Sequence, residues 1–221
     1  MAAITPGDGS ITGVAATDVV EIEYGSGAQM KHVTVEELLR GTGIAACVPV
    51  WDDLRFPAQS INPPGVLVGP TIEETETGFP GTLIFSGSAD NIICGIAQLP
   101  HSWERGTAIR PHIHWSKPTG SSSAVTWEMF LRIVGNPGDV AGSWSSALPG
   151  TLVAGDQTTS DAQLLTSFGD FAMTDLKESA IIAWRVYRRG NTDADNNAVR
   201  LYELDFHFQI NQLGTITEIP V

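Results

Sequence analysis

The stretch Arg110-Pro111-His112-Ile113-His114-Trp115 decides the fold, because it alternates. On an extended strand successive side chains point to opposite faces. Arg110, His112 and His114 therefore share one side, and Ile109, Ile113 and Trp115 share the other. A second stretch near the C-terminus answers it: Leu201-Tyr202-Glu203-Leu204-Asp205-Phe206-His207-Phe208-Gln209-Ile210. There Tyr202, Leu204, Phe206, Phe208 and Ile210 make an apolar face, and Glu203, Asp205, His207 and Gln209 a polar one. Two strands, each with one oily side, belong to a protein that packs sheet on sheet.

Further strands are expected at Leu83–Phe85, Asn91–Gln98, Val125–Val134, Thr151–Val153, Ala180–Arg189 and Val199–Asn211. Asn91–Gln98 is apolar on both faces and reads as a central strand. No helical period of comparable length follows residue 45. With 23 Gly and 13 Pro among 221 residues, turns are plentiful. The fold expected for residues 48–221 is all-β, an antiparallel β-sandwich of jelly-roll type. Residues 42–80 read as a linker and the entry to it.

Residues 1–47 read as a small anchor. Asp18–Tyr24 and Met30–Val33 look like a hairpin, and Thr34 with Glu37 forms a capping box that opens a helix over Leu38 and Leu39, ending near Gly41. So small a strand-helix unit buries little alone. It is expected to assemble with copies of itself.

The balance of 12 basic against 25 acidic side chains, net −13, argues against nucleic acid as a partner. No run of about 18 apolar residues suggests a membrane span, and no signal peptide is evident. Cys47 and Cys94 read as free buried thiols.

Gly106, His112 and His114 fit the first half of the metal motif of cupins, which are jelly-roll proteins. The slot for a ligating Glu falls on Pro118 or Thr119, however, and a required Gly falls on Leu204. No metal, cofactor or catalytic residue is therefore assigned. Phosphate loops and serine elbows are absent from the sequence. Glu128, Arg132, Arg185, Glu203, Asp205 and His207 all fall on strands and would form one charged ladder if those strands were neighbours. Trp103 and Trp144 are candidates for stacking on a saccharide.

Three ordered stretches carry a resemblance: Trp51-Asp52-Asp53-Leu54-Arg55-Phe56-Pro57, then Arg110–Trp115, then Leu201–Gln209. Together they are similar to a family of phage and prophage virion proteins, and residues 18–38 resemble the N-terminal anchor of phage fibres. The resemblance implies a structural, non-enzymatic role in a virion assembled in the bacterial cytoplasm: capsid decoration, head fibre or tail appendage. It also implies a homotrimer that meets other virion proteins through its N-terminal segment, with a host surface glycan as a further partner. The interface expected for that trimer comprises Val19, Ile22, Leu38, Leu39, His112, His114, Glu128, Arg185, Glu203, Asp205 and His207. The alternative is a cupin-like metal enzyme or a carbohydrate-binding module.

Overall fold

The computed structural model describes residues 19–23, 30–34, 50–64, 68–74, 77, 80–136 and 139–210. The chain divides into two compact units, Met1–Pro49 and Val50–Val221. In the first, β1 (Val19–Glu23) and β2 (Met30–Thr34) pair antiparallel as a two-stranded sheet. The helix expected after Thr34, with Leu38 and Leu39, lies outside the described residues, as does Cys47.

The second unit contains β3 (Val50–Pro57), β4 (Thr71–Glu73), β5 (Thr82–Phe85), β6 (Asp90–Gln98), β7 (Arg110–Ser116) and β8 (Trp127–Gly135). It continues with β9 (Leu148–Pro149), β10 (Thr151–Ala154), β11 (Leu164–Ser167), β12 (Ile181–Arg189) and β13 (Val199–Ile210). Every pairing is antiparallel. The larger sheet runs β10-β11-β7-β13-β5-β4, with β3 also on β13; the smaller runs β6-β12-β8-β9. Successive strands cross from sheet to sheet: β5 to β6, β6 to β7, β7 to β8, and later β11 to β12 and β12 to β13. The orders β5-β13-β7-β11 and β6-β12-β8-β9 are those of a jelly roll.

The core lies between the sheets. Ile113 and Trp115 of β7, Leu204, Phe206 and Phe208 of β13, and Trp127, Met129 and Leu131 of β8 are buried there with Ile182, Trp184 and Val186 of β12. Burying each such side chain contributes roughly 1.5–3 kcal/mol. The large rings meet edge to face: Phe85 on Trp127 at 5.0 Å, Phe56 on Trp184 at 5.4 Å and Trp115 on Trp127 at 5.7 Å between centroids.

Several expectations need correction. Residues 50–57 are no linker: they form β3, which pairs with β13 from Glu203↔Pro57 to Ile210↔Val50. β6 is an edge strand, not a central one; Asn91 and Ile92 bond to the Val68 carbonyl, so a neighbouring loop covers part of that edge. Trp103 is wholly buried, and Trp144 lies under the Arg185 guanidinium at 3.7 Å, so the two make no stacking platform. Cys94 is free but only half-buried.

Candidate functional site

Alternation on β7 turns Ile113 and Trp115 into the core and leaves His112, His114 and Ser116 on the outer face of the larger sheet. β13 does the same for Glu203, Asp205 and His207. The register places Asp205 opposite His112, Glu203 opposite His114 and His207 opposite Arg110. On its other edge β13 meets β3, with Asp205 opposite Arg55 and His207 opposite Asp53. Residues some 150 positions apart in the chain thus become one polar grid.

A register shift between Leu201 and Glu203 creates a bulge at Tyr202. It turns Tyr202 out of the apolar row where alternation had placed it. The phenol shares a hydrogen bond of 2.8 Å with Ser116 Oγ on the outer face. This is the usual work of a bulge, which re-aims one side chain.

At the centre of the grid three atoms converge. His114 Nε2 lies 3.1 Å from Asp205 Oδ2, His112 Nε2 lies 3.4 Å from the same oxygen, and the two Nε2 atoms are 3.2 Å apart. His112 and Asp205 are buried, and His114 is half-buried. Burial pushes the Asp205 carboxyl up, but hydrogen bonds from His112 and His114 outweigh it and hold the group at about 2. Asp205 Oδ1 is buried without a hydrogen-bond donor, with Arg55 Nε 4.0 Å away.

Around this centre the grid is paired. Arg55 forks onto Glu203 with two bonds of 2.7 Å. His207 Nε2 lies 2.9 Å from Asp53 Oδ1, and the His207 ring stands 4.2 Å from that of His112. Burial, then repulsion from His112, pulls the His207 imidazole below its ordinary value despite Asp53. Gln163 Nε2 lies 2.7 Å from His114 Nδ1. An open depression of about 510 Å³ is lined by Arg55, His114, Gln163, Tyr202 and Asp205, among others. Trp51, two residues before Asp53 on β3, is 43% exposed, with the Arg110 guanidinium 4.4 Å from its ring centre.

Of the residues expected at an interface, His112, His114, Glu203, Asp205 and His207 come together here. Glu128 and Arg185 do not. They lie with Arg132 on β8 and β12 of the other sheet, so the single charged ladder is in fact two. Glu128 pairs with Arg189, and Arg185 covers Trp144. Val19 and Ile22 belong to β1. Sequence reasoning missed Arg55, Asp53, Gln163 and Tyr202. The alternation of Asp53 and Arg55 against Leu54 and Phe56 was the available signal for the first two.

No protein-family model matches the chain, and no curated protein does. Among solved structures it is similar to a family 35 carbohydrate-binding module from an environmental isolate, at 10% identity over 69% of this chain and 91% of that one, TM-score 0.41. A carbohydrate-binding module of Caldicellulosiruptor saccharolyticus solved with mannohexaose is similar at 9% identity, over 71% and 96%, TM-score 0.36. A Shewanella oneidensis protein of unknown function is similar at 8%, over 84% and 98%, TM-score 0.32. Likeness this distant assigns no function.

Proposed function

We propose that this chain is a structural protein of a bacteriophage particle, a capsid decoration protein, head fibre or tail appendage built as a homotrimer, and not an enzyme. One observation supports the reading above others. The three stretches that resemble phage virion proteins are β3, β7 and β13, which lie side by side in the order β7-β13-β3. Their outward residues, Asp53 and Arg55, His112 and His114, Glu203, Asp205 and His207, make one surface. That face is the working surface of the protein on the particle.

Mass spectrometry and immunogold labelling of purified particles test the role. The chain is expected in the particle, in copy numbers divisible by three. Its absence from particles sinks the reading. A second reading is glycan recognition: Trp51 is 43% exposed on the face of β3 that carries Asp53, with Arg110 over its ring, and an aromatic face near carboxylates suits a sugar ring. A glycan array answers it: binding abolished by Trp51→Ala supports recognition, and a blank array removes it.

A further inference from the structure

We propose that His112, His114 and Asp205 form a three-ligand site for one divalent first-row transition ion, such as Zn(II), with its remaining coordination positions open to the depression. This goes beyond the particle role and stands apart from it.

Two ligands each about 2.1 Å from one tetrahedral ion lie about 3.4 Å apart, and somewhat less if the ion is octahedral. The three edges here are 3.1, 3.2 and 3.4 Å. An ion about 2.1 Å from all three atoms would sit about 1 Å out of their plane. Two imidazole nitrogens with a single carboxylate suit zinc, iron, manganese or nickel and not calcium or magnesium, which take oxygen.

Protons alone serve this cluster poorly. If both rings point an N–H at Asp205 Oδ2, the two protons crowd one another across 3.2 Å. If only one does, its single N–H must be shared between Asp205 Oδ2 and the lone pair of the other ring. A cation satisfies all three converging lone pairs at once. His112 and His114, two apart on one strand, hold the nitrogens rigidly, and the register of β13 fixes the oxygen.

Gln163 supplies the outer support. As it stands, its amide donates to His114 Nδ1. Turned by half a rotation it accepts a proton from Nδ1, and that bond fixes Nε2 as the ligating atom. Gln163 is thus a positioning residue, reading out in affinity and not in fold.

The test uses the full chain, stripped with chelator and titrated with Zn(II) by calorimetry. One equivalent per chain with sub-micromolar Kd is expected. His114→Ala and Asp205→Asn should each weaken binding by 100-fold or more. Gln163→Leu should weaken it about 10-fold with an unchanged melting curve, and His32→Ala should leave it intact. Co(II) gives a second readout that needs no variant: its visible spectrum should intensify and shift on mixing with the chain. No saturable binding, equal binding by His114→Ala and Asp205→Asn, or a Co(II) spectrum identical to that of the free aquo ion would each overturn the site. None of these results bears on whether the chain is found in particles, so the two readings fail separately.

Discussion

Lys117 and Asp195 show how a single pair can hold a loop. Both are about 1% exposed, and their charged atoms lie 2.8 Å apart. Lys117 also donates to the carbonyls of Ser121 and Ser123. Removing one member of a buried ion pair leaves the other charge uncompensated, which typically costs 3–5 kcal/mol. Lys117→Met should therefore lower unfolding stability by about 3–5 kcal/mol in urea melts; a loss below 1 kcal/mol would show that water reaches Asp195. The pair also sets an acid limb. Burial pushes the Asp195 carboxyl up, but the Lys117 ammonium and the Asn197 amides prevail and hold it below its ordinary value. A carboxyl depressed in the folded state stabilises above its unfolded pKa of about 3.9, and that contribution is lost as pH falls through the folded value. Stability should accordingly drop as pH falls below about 4. Asp195→Asn should be less stable at neutral pH and show a shallower drop. An acid limb of unchanged slope in that variant would assign the effect to other carboxyls, such as Glu178 beside Arg105.

At the scale of strands, the fit between the sheets depends on small residues where large ones need room. Gly95 on β6 faces inward opposite Trp184 on β12. A Cβ placed there would stand 2.4 Å from the indole, closer than side chains come. Overpacking of this kind costs about 1–3 kcal/mol. Gly95→Ala should lower the thermal midpoint and shift tryptophan fluorescence, because Trp184 must move. A neutral result would mean the β6 edge yields instead. The same strands show what the sequence made legible. Period-two alternation in β7, β12 and β13 needs no neighbour to be read, so the inward rows and the outward His112, His114 and Asp205 were evident. Their meeting was not, since the register between β7 and β13 is set by packing across about ninety residues of chain. The cupin spacing looked for a third ligand close behind His114, whereas here it comes from the adjacent strand. The Tyr202 bulge was hidden for a related reason: an extra residue becomes visible only once its partner strand is known. Trp103 looked exposed because its chain neighbours are polar, yet it bridges to Ile210 and is sealed beneath the sheets.

For the molecule as a whole, the division of labour between its two units is open to direct measurement. All of the buried core described here lies between Ala58 and Phe208, within the second unit. Among the described residues, the strands of both jelly-roll sheets run from β3 to β13, all within the second unit. A two-stranded sheet such as β1-β2, by contrast, is marginal in isolation and gains stability by packing on something else. If the first unit carries assembly, a chain beginning at Val50 should keep the melting temperature of the sandwich and lose the oligomer. Light scattering should then give three times 23.6 kDa for the full chain and the mass of a single chain for the truncated one. A trimer that survives truncation would place its interface on the sandwich. The outer grid of His112, His114, Glu203, Asp205 and His207 would then be the first place to look, by testing whether His114→Ala lowers the association constant. A full-length chain that runs as a monomer at micromolar concentration would remove the trimer altogether. Either outcome leaves the jelly roll and its polar face standing, because both rest on pairings within one chain.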